Sequence, residues 1–230
     1  MAFETVSRLV SERYTEVQNL LNHISASERL AGGPEPEAQL IHNFRGLFFV
    51  ALYGAWEYSI TRALVQLYTE INSFNIQHQH LETIVGSIAL DGLFRSIGDT
   101  APTRQWERRF ELLIRQAGSE IVEIDDNIFM FDVQFLKTKV IERIFAALGL
   151  NAPPVPVLAF RGLIDEVAER RSAVAHGRES PVEVGSKFRS DELRRRYDAL
   201  SATTFYIIGL FEDLLANRRF VRDSERHLYT

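Results

Sequence analysis

An arginine and a histidine stand five residues apart in Arg171-Ser172-Ala173-Val174-Ala175-His176-Gly177, and that pair of side-chain types suffices for RNA cleavage without a metal. The planar guanidinium of Arg171 can hold a phosphate through two parallel hydrogen bonds. A histidine, whose imidazole titrates near neutrality, can move a proton to or from a ribose or leaving oxygen, which is the role open to His176.

The pair must be placed by a helix. From Val157 the apolar positions run Phe160, Ile164, Val167 and Val174, a spacing of three to four residues that draws one stripe. Arg171 lies on that stripe, where the pattern asks for another aliphatic residue, and a charge there must be paired or used. Five residues turn a helix by about 140°. Arg171 and His176 therefore share no face of a straight helix, and the spacing predicts a site at the helix end, closed by Gly177 as the residue just beyond it.

A second misplaced charge is Glu57. In FRGLFFVALYGAWEYSITRALVQLY, Tyr53, Glu57, Ile60 and Leu64 share one stripe, so a carboxylate sits where an apolar residue is expected. Two opposite charges on two core stripes predict contact of Glu57 with Arg171 or His176. Such a contact either orients the catalytic groups or is a buried ion pair without chemistry.

At 230 residues, with 46% hydrophobic and 25% charged residues, the composition is that of one globular domain spanning 1–230. Cysteine is absent, which excludes disulfides and thiolate-ligated zinc. The start, MAFETVSRLVSERYTE, carries Glu4 and Glu12 and lacks an apolar run, so it does not read as a signal peptide. No run of eighteen apolar residues is read in the chain, so no membrane partner is expected and the expected location is the cytoplasm. Net charge is −5, yet Arg170 to Arg196 holds eight Lys or Arg against four acids, a local +4. Arg170, Arg178, Arg194 and Arg195 in that patch are candidates to steer and bind RNA phosphates; the alternative is a solvated helix face.

Other chemistry lacks an anchor. His78 and His80 are two apart in a polar loop, Asp125 and Asp126 are adjacent acids of a turn, and neither pair has the spacing of a metal site. No dinucleotide, P-loop or nucleophile-elbow motif occurs, so no cofactor is expected.

Helices are expected nearly throughout: residues 3–30, ended by Ala31-Gly32-Gly33-Pro34; 36–73; shorter elements near 80–97 and 103–118; 135–148; the motif helix from Val157 to about His176; and a last helix capped by Ser190. Ile121 to Phe131 is compatible with a loop or a short strand pair, and Gly177 to Lys187 reads as loop. The fold class is all-α, an antiparallel up-and-down bundle with irregular insertions. Its core bundle spans 36–217, built on the Pro36, Phe135, Val157 and Ser190 helices.

The R-x4-H-G motif near the end of the penultimate long helix, the early apolar helix around Tyr53 and Trp56-Glu57, and the all-helical bundle together resemble the HEPN superfamily. The likeness is to its prokaryotic ribonuclease and toxin-like branches of the MAE or RiboL-PSP type, over residues 36–217. The resemblance implies a metal-independent endoribonuclease in toxin–antitoxin or antiviral defence, with Arg171 and His176 catalytic and 2′,3′-cyclic phosphate and 5′-hydroxyl products; Glu57, by its stripe position, and Ser172, by its place beside Arg171, are the supporting residues. It implies a homodimer with both His176 residues lining one cleft, RNA as substrate, and a cognate antitoxin or defence-system protein as partner. Ser172 follows the arginine where the family often has Asn or Asp, and Arg178 stands where some members carry a modified Tyr. A catalytically inert module that binds a nucleotide or a partner is the alternative.

Overall fold

The computed structural model describes residues 3–30, 35–129 and 135–229. The expected helix-ending Ala31–Pro34 and the last two residues of the Ile121–Phe131 stretch lie outside them. Four long helices make the bundle: α1 (Glu4–Leu30), α2 (Glu35–Ser73), α7 (Phe160–Ala175) and α9 (Ser190–Ala216). Between α2 and α7 run α3 (Thr83–Ala89), α4 (Asp91–Asp99), α5 (Gln105–Gln116) and α6 (Thr138–Ala147), and α8 (Pro181–Gly185) joins α7 to α9.

The all-α class agrees with expectation, but the membership of the core differs. Helix α1 takes the place assigned to the Phe135 helix. Val6, Val10, Tyr14, Val17, Leu21 and Ile24, spaced by three or four residues, are all buried against α2 and α9. Polar groups fix that seam: the Tyr14 and Thr204 hydroxyls hydrogen-bond at 2.7 Å, and Tyr197 Oη donates to Gln18 Oε1 at 3.0 Å. The expected helix from Phe135 begins only at Thr138, because Asp165 of α7 accepts the Thr138 N–H at 2.8 Å and caps it there.

Two further expectations give way. The loop expected over 177–187 contains α8, which lies so close to α2 that a β-carbon at Gly185 would sit 1.8 Å from the His42 carbonyl oxygen, and one at Gly46 would sit 1.9 Å from that of Pro181. Only glycine on both sides permits this backbone contact. Nor does Ser190 cap α9. Glu192 accepts the Arg189 N–H at 2.9 Å, while Ser190 Oγ donates to Glu28 of α1 at 2.6 Å.

Helix α9 is long and apolar enough to cross a membrane by length and composition, with a mean hydropathy of 1.4 over its most apolar stretch, half of which is buried in the bundle. Residues 121–129 form no strand pair; Ile121 makes one isolated bridge with Gln77.

Candidate functional site

Helix α7 stays helical to Ala175 and ends in a Schellman motif. The Arg178 N–H bonds the Ala173 carbonyl at 2.9 Å, the Gly177 N–H bonds that of Val174 at 3.1 Å, and Gly177 has φ +66°. His176 is thereby the cap residue, exposed, with no side-chain partner among the described residues.

Arg171, one and a half turns earlier, faces inward. Its Nη2 lies 3.7 Å from Glu57 Oε2, an ion pair longer than a hydrogen bond, and its guanidinium carbon stands 4.7 Å from the centre of the Tyr53 ring. The expected contact between the two stripe-breaking charges is therefore present. Burial raises the Glu57 carboxyl above the usual glutamate range, and Arg171 only partly offsets that rise. Burial likewise raises Tyr53, opposed by the hydrogen bond from Leu136.

Beside Arg171 opens a cleft of about 430 Å³, lined by Tyr53, Phe135, Lys137, Glu169, Arg170, Arg171, Ser172, Arg178 and Glu179 among others. His176 is not among its lining residues. One chain therefore does not bring Arg171 and His176 together at this cleft. Ser172 accepts a 2.8 Å hydrogen bond from Arg178 Nη2, which ties the chain just past the helix cap back onto α7.

The +4 patch is largely internally paired. Glu166 takes Arg196 through Nε at 3.0 Å and again through Nη2, and meets Arg170 Nε at 3.9 Å. Glu179 joins Arg170 at 3.3 Å to Lys187, and the Phe188 ring lies under both Arg170 and Arg196. Arg194 reaches away to Asn22 of α1 at 3.0 Å, so it does not join the cleft. Arg195 is exposed and unpaired among the described residues.

Phe135, Lys137, Glu169 and Glu179 carried no sequence signal as site residues. What fixes that wall is the pair Tyr53 and Trp56, about one turn apart on α2. Tyr53 Oη accepts the Leu136 N–H at 2.7 Å and Trp56 Nε1 donates to the Leu136 carbonyl at 3.1 Å, so one residue is gripped by both backbone groups. Of the discarded histidines, His78 is buried in a 3₁₀ turn and His80 Nδ1 shares a 2.8 Å hydrogen bond with Tyr229 Oη.

The family model RiboL-PSP-HEPN matches residues 9–215, which takes in most of α1 and all of α2 through α8. No curated protein and no solved structure matches the chain.

Proposed function

Because the chain belongs to the RiboL-PSP-HEPN family, we propose that it is a metal-independent endoribonuclease acting in the cytoplasm as a toxin or antiviral-defence effector. The observation that carries this reading is Arg171 itself: a guanidinium held over Tyr53 and beside Glu57 at the wall of a cleft large enough for a nucleotide. A cation already oriented needs little rearrangement when charge grows on a phosphate.

In the proposed reaction a ribose 2′-oxygen attacks the adjacent phosphorus while His176 takes its proton. The bond from phosphorus to the 5′-oxygen breaks, that oxygen gains a proton, and a 2′,3′-cyclic phosphate and a 5′-hydroxyl remain. Arg171 neutralises the extra negative charge on the pentacoordinate phosphorus. Since His176 lies outside the cleft of its own chain, this reading requires a homodimer that turns each exposed helix end toward a shared cleft. A cognate antitoxin or defence-system protein would restrain it.

The test is incubation of the purified protein with RNA in excess chelator. Cleavage with cyclic-phosphate ends, lost in both Arg171→Ala and His176→Ala, is the expected result, and unchanged cleavage by both variants would overturn it. Light scattering at micromolar concentration should give a dimer. The exposed, unpartnered His176 favours a second reading, an inert nucleotide-binding module. It predicts no cleavage but nucleotide binding that Arg171→Ala removes and His176→Ala leaves intact.

A further inference from the structure

Phe135 is 58% exposed on the wall of a cleft that also holds Lys137 and Arg170, paired with Glu169 and Glu179 of the same lining, together with Arg171 and Arg178. The chain immediately after it is tethered residue by residue. Leu136 is bonded through both its N–H and its carbonyl by Tyr53 and Trp56 of α2. Lys137 Nζ is bound to Glu169 of α7 at 2.9 Å, and Thr138 donates its N–H and its hydroxyl to Asp165. Three consecutive residues are thus stapled to the two helices that carry Glu57 and Arg171, and Phe135 is the ring those staples leave facing the cleft.

A flat apolar ring beside several cations does not match a protein contact, whose buried centre is depleted of charge. It matches a nucleotide strand, in which bases alternate with phosphates: aromatic faces stack unpaired bases while cations track the backbone. The Tyr53 ring is not free for that role, because Arg171 covers it.

We propose that Phe135 is a fixed stacking platform for the base next to the phosphate held at Arg171, and so a specificity-determining residue of this cleft. The inference rests on the ribonuclease reading for its substrate. It adds that the base at this position must be unpaired and that its ring, rather than its hydrogen-bonding edge, is what the protein reads.

The experiment measures KM and kcat on a single-stranded oligoribonucleotide, and Kd for the same strand, with Phe135→Ala, Phe135→Leu and Phe135→Trp beside the wild type. Thermal melts check that each variant folds. Stacking predicts that Phe135→Ala and Phe135→Leu raise KM and Kd roughly tenfold with kcat little changed, and that Phe135→Trp keeps both within about twofold. Leucine separates stacking from apolar bulk. KM unchanged in Phe135→Ala overturns the platform while leaving the ribonuclease reading intact. So does full rescue by leucine, or a shift in dimer dissociation with KM unchanged, which would make Phe135 a subunit contact. If the wild type cleaves nothing in chelator, the ribonuclease reading fails, and the platform then stands or falls on whether strand binding still depends on the aromatic ring.

Discussion

Arg171 and His176 are five residues apart on one helix and occupy opposite environments. Arg171 is held on three sides: a carboxylate at 3.7 Å, an aromatic ring at 4.7 Å, and the buried face of α7 beneath it. His176 stands on a helix cap in solvent, placed by its backbone alone through the Schellman turn. A side chain oriented by its neighbours is preorganised in a single chain. One oriented only by its backbone awaits a second surface, which here would be another copy or the RNA.

The largest effect that separates the two is on catalysis against stability. Both Arg171→Ala and His176→Ala should lower RNA cleavage by about 100-fold or more, the scale of a lost catalytic group. Their melting temperatures should diverge. Arg171→Ala leaves Glu57 without its neighbouring cation and uncovers Tyr53, so it should melt lower, whereas His176→Ala should melt as the wild type does. Equal melting shifts would show that the contrast in environment has no energetic content.

Next in size is the turn that aims His176. Gly177 adopts φ +66°, a conformation that costs an L-residue about 1–2 kcal/mol, so Gly177→Ala should destabilise by that order in urea titration and also reduce cleavage. Gly162, exposed near the start of the same helix with open space where a β-carbon would go, is the internal control. Gly162→Ala should stabilise by up to about 1 kcal/mol. The opposite signs on one helix would locate the strain at the His176 end.

These contrasts also explain what could be read from the sequence. Helix boundaries followed from apolar spacing, and Glu57 meeting Arg171 followed from two charges breaking two stripes. Helix α8 has too few residues to show an apolar period, although Ser180-Pro181-Val182-Glu183 carries a capping box with proline at the first helical position, and its place depends on Gly46 and Gly185 meeting across the chain. Helix α1 was left out of the core because its exposed faces are so polar, although Val6, Val10, Tyr14, Val17 and Leu21 kept the period. The cleft wall at Phe135 to Lys137 was unreadable for another reason. It is set by Tyr53 and Trp56 gripping a backbone some eighty residues away, and backbone hydrogen bonds carry no side-chain signature. The +4 count misled in part, since a sequence total cannot tell Arg196, buried on Glu166, from Arg195 in solvent.

That distinction gives a smaller effect on RNA binding. Arg178 lines the cleft and Arg194 is bonded to Asn22 of α1, so Arg178→Ala should weaken binding several-fold and lower the salt slope by about 1, while Arg194→Ala should change neither. Equal losses from the two would mean that the strand is steered by the whole basic face rather than by the cleft.

The smallest effect lies in the pH dependence of stability. Burial raises the Glu57 carboxyl above its ordinary range, and Arg171 is what opposes the rise. Below the unfolded value, near 4.3 for a glutamate, the group is protonated whether the chain is folded or not, and it contributes nothing. As pH climbs from there to the raised folded value, the unfolded chain releases its proton first, the folded state binds more protons, and stability falls with pH. Above that window the deficit is constant. Glu57→Gln removes the slope, so the unfolding free energy of the wild type relative to this variant should decline as pH rises from the unfolded glutamate value through the raised folded one. In an Arg171→Ala background the decline should be larger, because the cation that held the carboxyl down is gone. A slope of the opposite sign would mean that Arg171 outweighs burial, and that the inward-facing half of the motif is a true ion pair rather than a cation set beside a reluctant carboxylate.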